Sequence, residues 1–371
     1  MRTTTANIVI VLTEDCQLRC SYCYIVGKNN FNRNSYATIT KGIDILLNNE
    51  YMQEADNAVF SFIGGEPLIE IDLLSDVTEY ILSKVKKTCH KWNGKIKFQI
   101  TTNGLLYDSK KVQEYILLHH DILDINISID GTKDKHNINR IFKNGEGSYD
   151  KVYSNVKLWV EQYKRTSTKM VISHEDLPFV AESAIHLLQT GLTFIDMNLV
   201  VEDTWHTGDD VVFEGQLMKL ADYLIDNSID SMEHLSLFKT NLFLPFRING
   251  YANPCGDYNV TIGVDGRFYS CIRFQKYSLR TKKPRTIGNI YDGINSNLLR
   301  PFLSMDNNSV FSDRCKKCEF AKGCRWCAAE NYDASDNGTL FQRTETVCSL
   351  HKSVVKVSRY YFRRLGLKYR V

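Results

Sequence analysis

Three thiols fall within eight residues in Cys16-Gln17-Leu18-Arg19-Cys20-Ser21-Tyr22-Cys23. A four-iron cluster is ordinarily held by four cysteine thiolates. A run that offers three leaves one iron open to a ligand that is not a side chain, which suits a catalyst better than an electron carrier. A second concentration lies at the far end: Cys255, Cys271, Cys315, Cys318, Cys324, Cys327 and Cys348. Only Cys89, beside the expected end of a helix, stands alone between the two groups. Ordinary core thiols would be scattered, so the clustering points to metal. The pairs of Cys315-x2-Cys318-x5-Cys324-x2-Cys327 are too close for separate zinc knuckles, and seven thiols exceed the needs of one zinc ion. Iron–sulfur clusters accommodate them better. Asp257 and Tyr258, beside Cys255, are candidates for an acid or base, although a loop acid and an aromatic also explain themselves without catalysis.

The bulk of the chain must position these groups. It has 371 residues, 43% hydrophobic and 24% charged, which is an ordinary globular composition with room for a large domain and a smaller one. A formal net charge of +3 gives no footprint for nucleic acid. The apolar run Ile8–Leu12 is short and followed by Glu14-Asp15, so it reads as a strand and not as a signal-peptide core. No stretch approaches the ~18 apolar residues of a membrane span. The expected location is the cytoplasm, where structural disulfides are rare.

Strand and helix patterns alternate through the first two hundred residues. Expected strands cover 7–13, 58–63, 95–102, 125–129, 169–173 and 194–201. Helical spacing between them marks 38/40–48, a helix opened by Asp72, then 109–119, 149–163 and 177–189. Alternation of this kind implies an α/β fold with a parallel sheet, and six units without a Gly-x-Gly-x-x-Gly turn imply a partial (β/α)6 barrel. Chemistry in such barrels sits at the C-terminal ends of strands. The cysteine run, Gly64-Gly65-Glu66-Pro67, Thr102-Asn103-Gly104 and Asp130-Gly131 all fall at such ends and would converge on one mouth. The chain divides by motif into 1–205, a bridge at 206–250 with a helix over 209–227, and a tail at 251–371. In the tail, 260–264 and 268–272 flank Asp265-Gly266 as a hairpin. The basic end, from Ser349 onward, reads as a packed terminal helix with a solvated basic face; a groove for an acidic peptide is the sharper alternative.

The Cys-x3-Cys-x2-Cys run with Tyr22 before its last cysteine resembles the signature of the radical S-adenosylmethionine (SAM) superfamily. Gly64-Gly65-Glu66-Pro67 is similar to that superfamily's second motif. Cys255-x10-Gly266-x4-Cys271, the four-cysteine core and Cys348 resemble a SPASM domain, with two residues in the last pair where three are more usual. The resemblance covers nearly the whole chain and implies SAM and three 4Fe–4S clusters. Cys16, Cys20 and Cys23 would hold the SAM-binding cluster. Cys315, Cys318, Cys324 and Cys348 would hold a complete auxiliary cluster, and Cys255, Cys271 and Cys327 a second that is one protein ligand short. Tyr22 would lie near the adenine, Gly64, Gly65 and Glu66 near the methionyl amino group, and Ser128 and Arg140 near the ribose or carboxylate. An external donor such as flavodoxin or ferredoxin would supply the electron.

The SPASM resemblance also implies a ribosomally made peptide as substrate. The reading is a peptide maturase that abstracts a hydrogen and forms a crosslink, first of all a thioether from cysteine to carbon, because an open auxiliary iron could take a substrate thiolate. Carbon–carbon crosslinking and epimerisation are alternatives. A sulfatase-type maturase making formylglycine is another, against which stand Thr261, where those enzymes carry a further cysteine, and Ile272, where they carry an aspartate base. A non-catalytic iron–sulfur or zinc protein is the alternative of another class. The first strand opens the chain, so peptide capture would use the tail, the bridge or a separate peptide-binding protein.

Overall fold

The computed structural model describes residues 3–26, 30–202, 204–243, 255, 257–324 and 326–366. The end of the bridge at Leu244-Pro245 and the start of the tail, with Lys368 and Arg370 of the basic end, lie outside the described residues. The chain packs as two compact units. One comprises Met1–Gln17, Cys23–Asn126 and Ala252–Met305; the other comprises Leu18–Tyr22, Ile127–Tyr251 and Asp306–Val371.

The first unit is built on β1 (Thr5–Val11), β2 (Asn57–Ile63), β3 (Ile96–Thr102) and β4 (Leu123–Ile127), neighbours in that order. Each alternates buried with partly exposed positions, as a sheet face demands. Ala58, Phe60 and Phe62 of β2 are buried, and Phe62 stacks on Phe98 of β3 at 6.1 Å between ring centres. The parallel register sets Val11 opposite Ile63 and Phe62 opposite Ile100. Three strands therefore end flush, and the loops after them share one edge.

The second unit carries β5 (Ser167–Ile172) and β6 (Phe194–Leu199), parallel to each other. Ser128, just past β4, bridges Lys169 in parallel, and the Thr168 hydroxyl donates to the Ile127 carbonyl at 2.6 Å. Thus β1–β4 belong to one sheet and β5–β6 form a separate two-stranded one. Helices fall close to their sequence patterns, with physical corrections at their ends. The first spans Tyr36–Leu47 and is capped by Ser35, whose hydroxyl accepts from the Thr38 amide at 3.1 Å; neither Thr38 nor Thr40 is the cap. The helix Ile71–Lys87 carries Asp72 in its first turn and lysines in its last, as the helix dipole favours. Pro178 splits the expected 177–189 helix into a 3-10 turn, His174–Phe179, and a helix, Val180–Gln189.

The tail hairpin forms as β7 (Asn259–Ile262) and β8 (Arg267–Tyr269). Unexpectedly, β7 also pairs in parallel with β1, so this piece of tail extends the sheet of the first unit. Short β9 (Gly288–Asn289) and β10 (Gly293–Ile294) complete that edge. The terminal helix Cys348–Arg364 belongs to the second unit and buries Val354, Val355, Tyr361 and Phe362, while the Tyr361 hydroxyl donates to the Ile229 carbonyl at 2.9 Å. Its basic residues meet acids: Lys356 lies 3.1 Å from Glu214 and Arg359 3.3 Å from Glu319. Among the described residues, no helix is long and apolar enough to cross a membrane.

Candidate active site

In the first unit the loops after β1, β2 and β3 interlock. Gly64 has φ +152° and a Cβ there would meet the Thr13 carbonyl at 2.5 Å; a Cβ on Gly65 would lie 1.9 Å from the Asp15 carbonyl. Only glycine lets the second motif lie against the backbone that leads into Cys16. Main-chain bonds from Gly65 to Thr13 and from Glu66 to Asp15, both 2.8 Å, close this contact. Glu66 is 1% exposed. Its carboxylate accepts from the Thr102 hydroxyl and the Asn103 amide, each at 2.7 Å, and from the Leu68 amide at 3.1 Å. Asn103 in turn directs its side-chain nitrogen at Cys16 Sγ, 3.6 Å away, and at Gln17 Oε1, 3.1 Å away.

Tyr24, next to Cys23, donates to the Gly64 carbonyl at 3.1 Å. Burial, and then the nearby Cys23 and Cys271 sulfurs, hold its hydroxyl well above the ordinary tyrosine range. Cys271 itself is drawn down to about 7, first by a hydrogen bond with Cys255. The structure thus brings Cys255 and Cys271 into contact.

Asp257 and Tyr258, the acid–base candidates, lie beside the first strand. The Tyr258 carbonyl accepts from the Asn7 amide, its ring stacks on Tyr51 at 4.9 Å, and its hydroxyl donates to Glu54 at 2.9 Å. The β1–β7 register and the bond to Asn7 place Tyr258 beside the N-terminal half of β1.

In the second unit the segment Leu18–Tyr22 is strapped to the residues after β4. Leu18 bridges Phe142, the Arg19 amide donates to Ile141 at 2.7 Å, and the Ser21 amide to Asn139 at 3.2 Å. The Ser21 hydroxyl also donates to the Asn139 side chain. Asn139 is held by Ser173 at 3.1 Å and Asp176 at 2.9 Å, and Asp176 by Lys135 at 2.9 Å. Lys135 and Asp176 are both fully buried. Despite its partners, the Asp176 carboxyl sits above its usual range because burial outweighs them.

Beside this network, Tyr22 donates its hydroxyl to Asp130, and Arg140 Nε lies 3.2 Å from the same carboxylate. A terminal Arg140 nitrogen reaches Cys20 Sγ at 3.7 Å. Burial would raise the Asp130 carboxyl, but Arg140, Lys135 and His136 bring it below its usual range. Ser128 is buried at the start of this turn. The His136 Nδ1 accepts from the Asp130 amide at 3.3 Å, and its Nε2 lies 3.0 Å from the Ser148 hydroxyl, so the ring is neutral. Burial, then Arg140, drives its pKa from 6.5 down to about 3. A histidine depressed on folding costs stability wherever the unfolded chain is protonated and the folded one is not. Stability is therefore expected to fall between pH 6.5 and about 3, at up to about 1.4 kcal/mol per pH unit. Urea unfolding of the wild type and His136→Gln across that range checks this: the difference between the two curves should narrow as pH falls.

Farther along the second unit, Cys315, Cys318, Cys324 and Cys348 line one small cavity, with Arg343 and His351 in its wall. Arg343 donates to Cys324 Sγ. These are the four cysteines that the resemblance groups as one complete set. Cys327 precedes the helix Ala328–Ala334 in the same unit. Among the described residues no three His, Cys, Asp or Glu side chains converge closely enough to hold a single ion. Four soft thiol donors spread around one cavity fit a multi-iron cluster, in which each iron takes its own thiolate.

Other functional groups had no local signal. His174, after β5, sets Nδ1 2.9 Å from both Asp209 oxygens, with the His206 ring 3.9 Å away between centres. Its Nε2 makes no hydrogen bond to any described residue. Lys135, Asn139, Asp176 and Asp209 were likewise unforeseen, since each partner lies tens of residues away; only the position of Asp130, Ser173 and His174 at strand ends could have drawn attention.

Residues 10–177 match the family described as the radical SAM superfamily. A cysteine-type anaerobic sulfatase-maturating enzyme of Clostridium novyi is 23% identical over 354 residues, 89% of this chain and 90% of that one. Among solved structures, native anSMEcpe with bound AdoMet and Cp18Cys peptide matches at a TM-score of 0.69 and 19% identity, covering 98% of this chain and 100% of that one. Streptococcus suis SuiB bound to precursor peptide SuiA matches at 0.63 and 16% identity, covering 93% of this chain and 76% of that one.

Proposed function

We propose that this chain, a member of the radical SAM superfamily, is a maturase that removes hydrogen from a peptide and closes a thioether between a cysteine sulfur and a carbon. The single observation that carries the peptide reading is the match along nearly the whole chain to two solved structures that hold peptides. Cys16, Cys20 and Cys23 hold the first cluster, and SAM bound there supplies the radical that abstracts the hydrogen. Gly65 suits the methionyl ammonium, since its carbonyl accepts no hydrogen bond from a described residue. The motif resemblance adds Gly64, Glu66, Tyr22, Ser128 and Arg140 to the cofactor-binding set. Cys315, Cys318, Cys324 and Cys348 hold one auxiliary cluster; Cys255, Cys271 and Cys327 hold the other, whose open position takes the substrate sulfur.

Closing the thioether releases the thiol proton and one electron; the electron would pass to the auxiliary iron–sulfur cluster. His174 of the second unit is the candidate to take the proton: Asp209 engages Nδ1, which leaves Nε2 available. His174→Gln is expected to lower peptide crosslinking at least about tenfold, in the range ascribed to a general base, while 5′-deoxyadenosine formation continues. Liquid chromatography with mass spectrometry reads both products from one reaction.

The bond is tested by anaerobic incubation with SAM, dithionite and a panel of cysteine-bearing peptides. A loss of two hydrogens that disappears when every peptide cysteine is replaced supports the thioether. A loss that survives the replacement points to a carbon–carbon crosslink, and an aldehyde on a sulfatase-motif peptide points to formylglycine. The departures at Thr261, 1% exposed within β7, and Ile272 stand against that last outcome. An electron donor of flavodoxin or ferredoxin type and a separate peptide-binding protein complete the proposed system.

A further inference from the structure

Two cysteines of the run each receive an N–H group from a residue that a buried carboxylate holds in place. In the first unit the donor is the Asn103 side chain, 3.6 Å from Cys16 Sγ, and its backbone amide is fixed by Glu66 at 2.7 Å. The Asn103 Oδ1 accepts from the Leu105 amide at 2.9 Å, which orients the side-chain nitrogen toward the sulfur. In the second unit the donor is Arg140, 3.7 Å from Cys20 Sγ, with Nε 3.2 Å from Asp130. Asp130 is itself tied by the Val171 amide at 3.0 Å and by the Tyr22 hydroxyl. The Ser148 hydroxyl and the Ser148 amide both donate to the Arg140 carbonyl, at 2.8 and 3.2 Å, so the arginine backbone is fixed as well.

We propose that Asn103 and Arg140 are N–H···S donors that set the reduction potential of the cluster held by Cys16, Cys20 and Cys23, with Glu66 and Asp130 as their positioning residues. The proposal rests on the reading that these cysteines hold that cluster. Reduction adds negative charge to the cluster, and hydrogen bonds to its sulfurs are among the features that set its potential. A donor or cation at a ligand sulfur stabilises the reduced form and raises the potential. Arg140 is 7% exposed, so solvent screens its charge little, and its effect exceeds that of the neutral amide. The motif resemblance instead gives Glu66 and Arg140 to SAM. The two roles separate cleanly, because a cofactor contact has no effect before the cofactor arrives.

The test is a potentiometric titration of the full-length reconstituted protein, followed by electron paramagnetic resonance without SAM. The first cluster is identified as the signal that changes when SAM is added. Asn103→Leu and Arg140→Leu should both lower its midpoint potential with iron content retained, Arg140→Leu by more. Glu66→Gln also removes a buried negative charge, which by itself raises the potential, so positioning is read from the double variant: Asn103→Leu should lower the potential less in the Glu66→Gln background than in the wild type. If Arg140→Leu loads no iron, Arg140→Lys is read in its place; it keeps the charge without the fork, and its potential should lie below the wild type. Unchanged potentials in both Asn103 and Arg140 variants, with SAM affinity lowered about tenfold or more, overturn the proposal and return these residues to the cofactor. A wild type with no SAM-responsive signal removes the cluster assignment itself, a different result from unchanged potentials.

Discussion

Cys20→Ala is expected to abolish 5′-deoxyadenosine formation and to lower the iron content by about four per chain, out of about twelve for the three proposed four-iron clusters. The expectation follows from the ligand count. The run holds three cysteines, and no other cysteine lies within sixty residues of it in sequence. A cluster that keeps one iron open has no spare thiolate to lose. Cys20 is also the ligand most closely built into its surroundings, being at the edge of burial and in reach of Arg140. Iron assay and chromatography of the SAM reaction check the two halves separately. Loss of about four irons with residual SAM cleavage would place the SAM-binding cluster elsewhere.

Lys135→Met destabilises the protein by about 3–5 kcal/mol, the range for removing one partner of a buried ion pair. Both side chains are fully buried. Lys135 also donates to the Val171 carbonyl at 2.6 Å, so the substitution leaves a carboxylate and a carbonyl unpaired together. The damage extends beyond stability. Asp176 braces Asn139, and Asn139 braces Ser21 between Cys20 and Cys23. The variant should therefore lose the first cluster faster than the tail clusters on mild chelation. Urea unfolding followed by circular dichroism gives the first number, and iron release with time gives the second. Adding Asp176→Leu should restore much of the stability, because it removes the stranded charge, but not the hold on Ser21.

Residues that act through local pattern were legible in the sequence. The four tail cysteines that the resemblance groups line one cavity. Hydrophobic alternation located all six parallel strands. Their order of burial followed from that alternation, since β-branched and aromatic residues fill one face. What escaped depends on partners distant in sequence. Asp176 meets Lys135 forty-one residues away, and β7 meets β1 across some 250 residues. No periodicity encodes such pairings. The tie of Tyr258 to Asn7 is another such pairing, which nearness to Cys255 along the chain does not reveal. Glu66 lies between the two cases. Its motif marked it, but its burial and three protein hydrogen bonds became visible only in the fold.

The central claim is that a radical made from SAM removes a hydrogen from a peptide. The most direct measurement uses the peptide that the wild type converts, synthesised with deuterium at its carbon-bound positions, and mass spectrometry of the 5′-deoxyadenosine formed with it. Deuterium in the 5′-deoxyadenosine, in step with loss of hydrogen from the peptide, is the predicted result. 5′-Deoxyadenosine that carries no deuterium while the peptide is converted would contradict it.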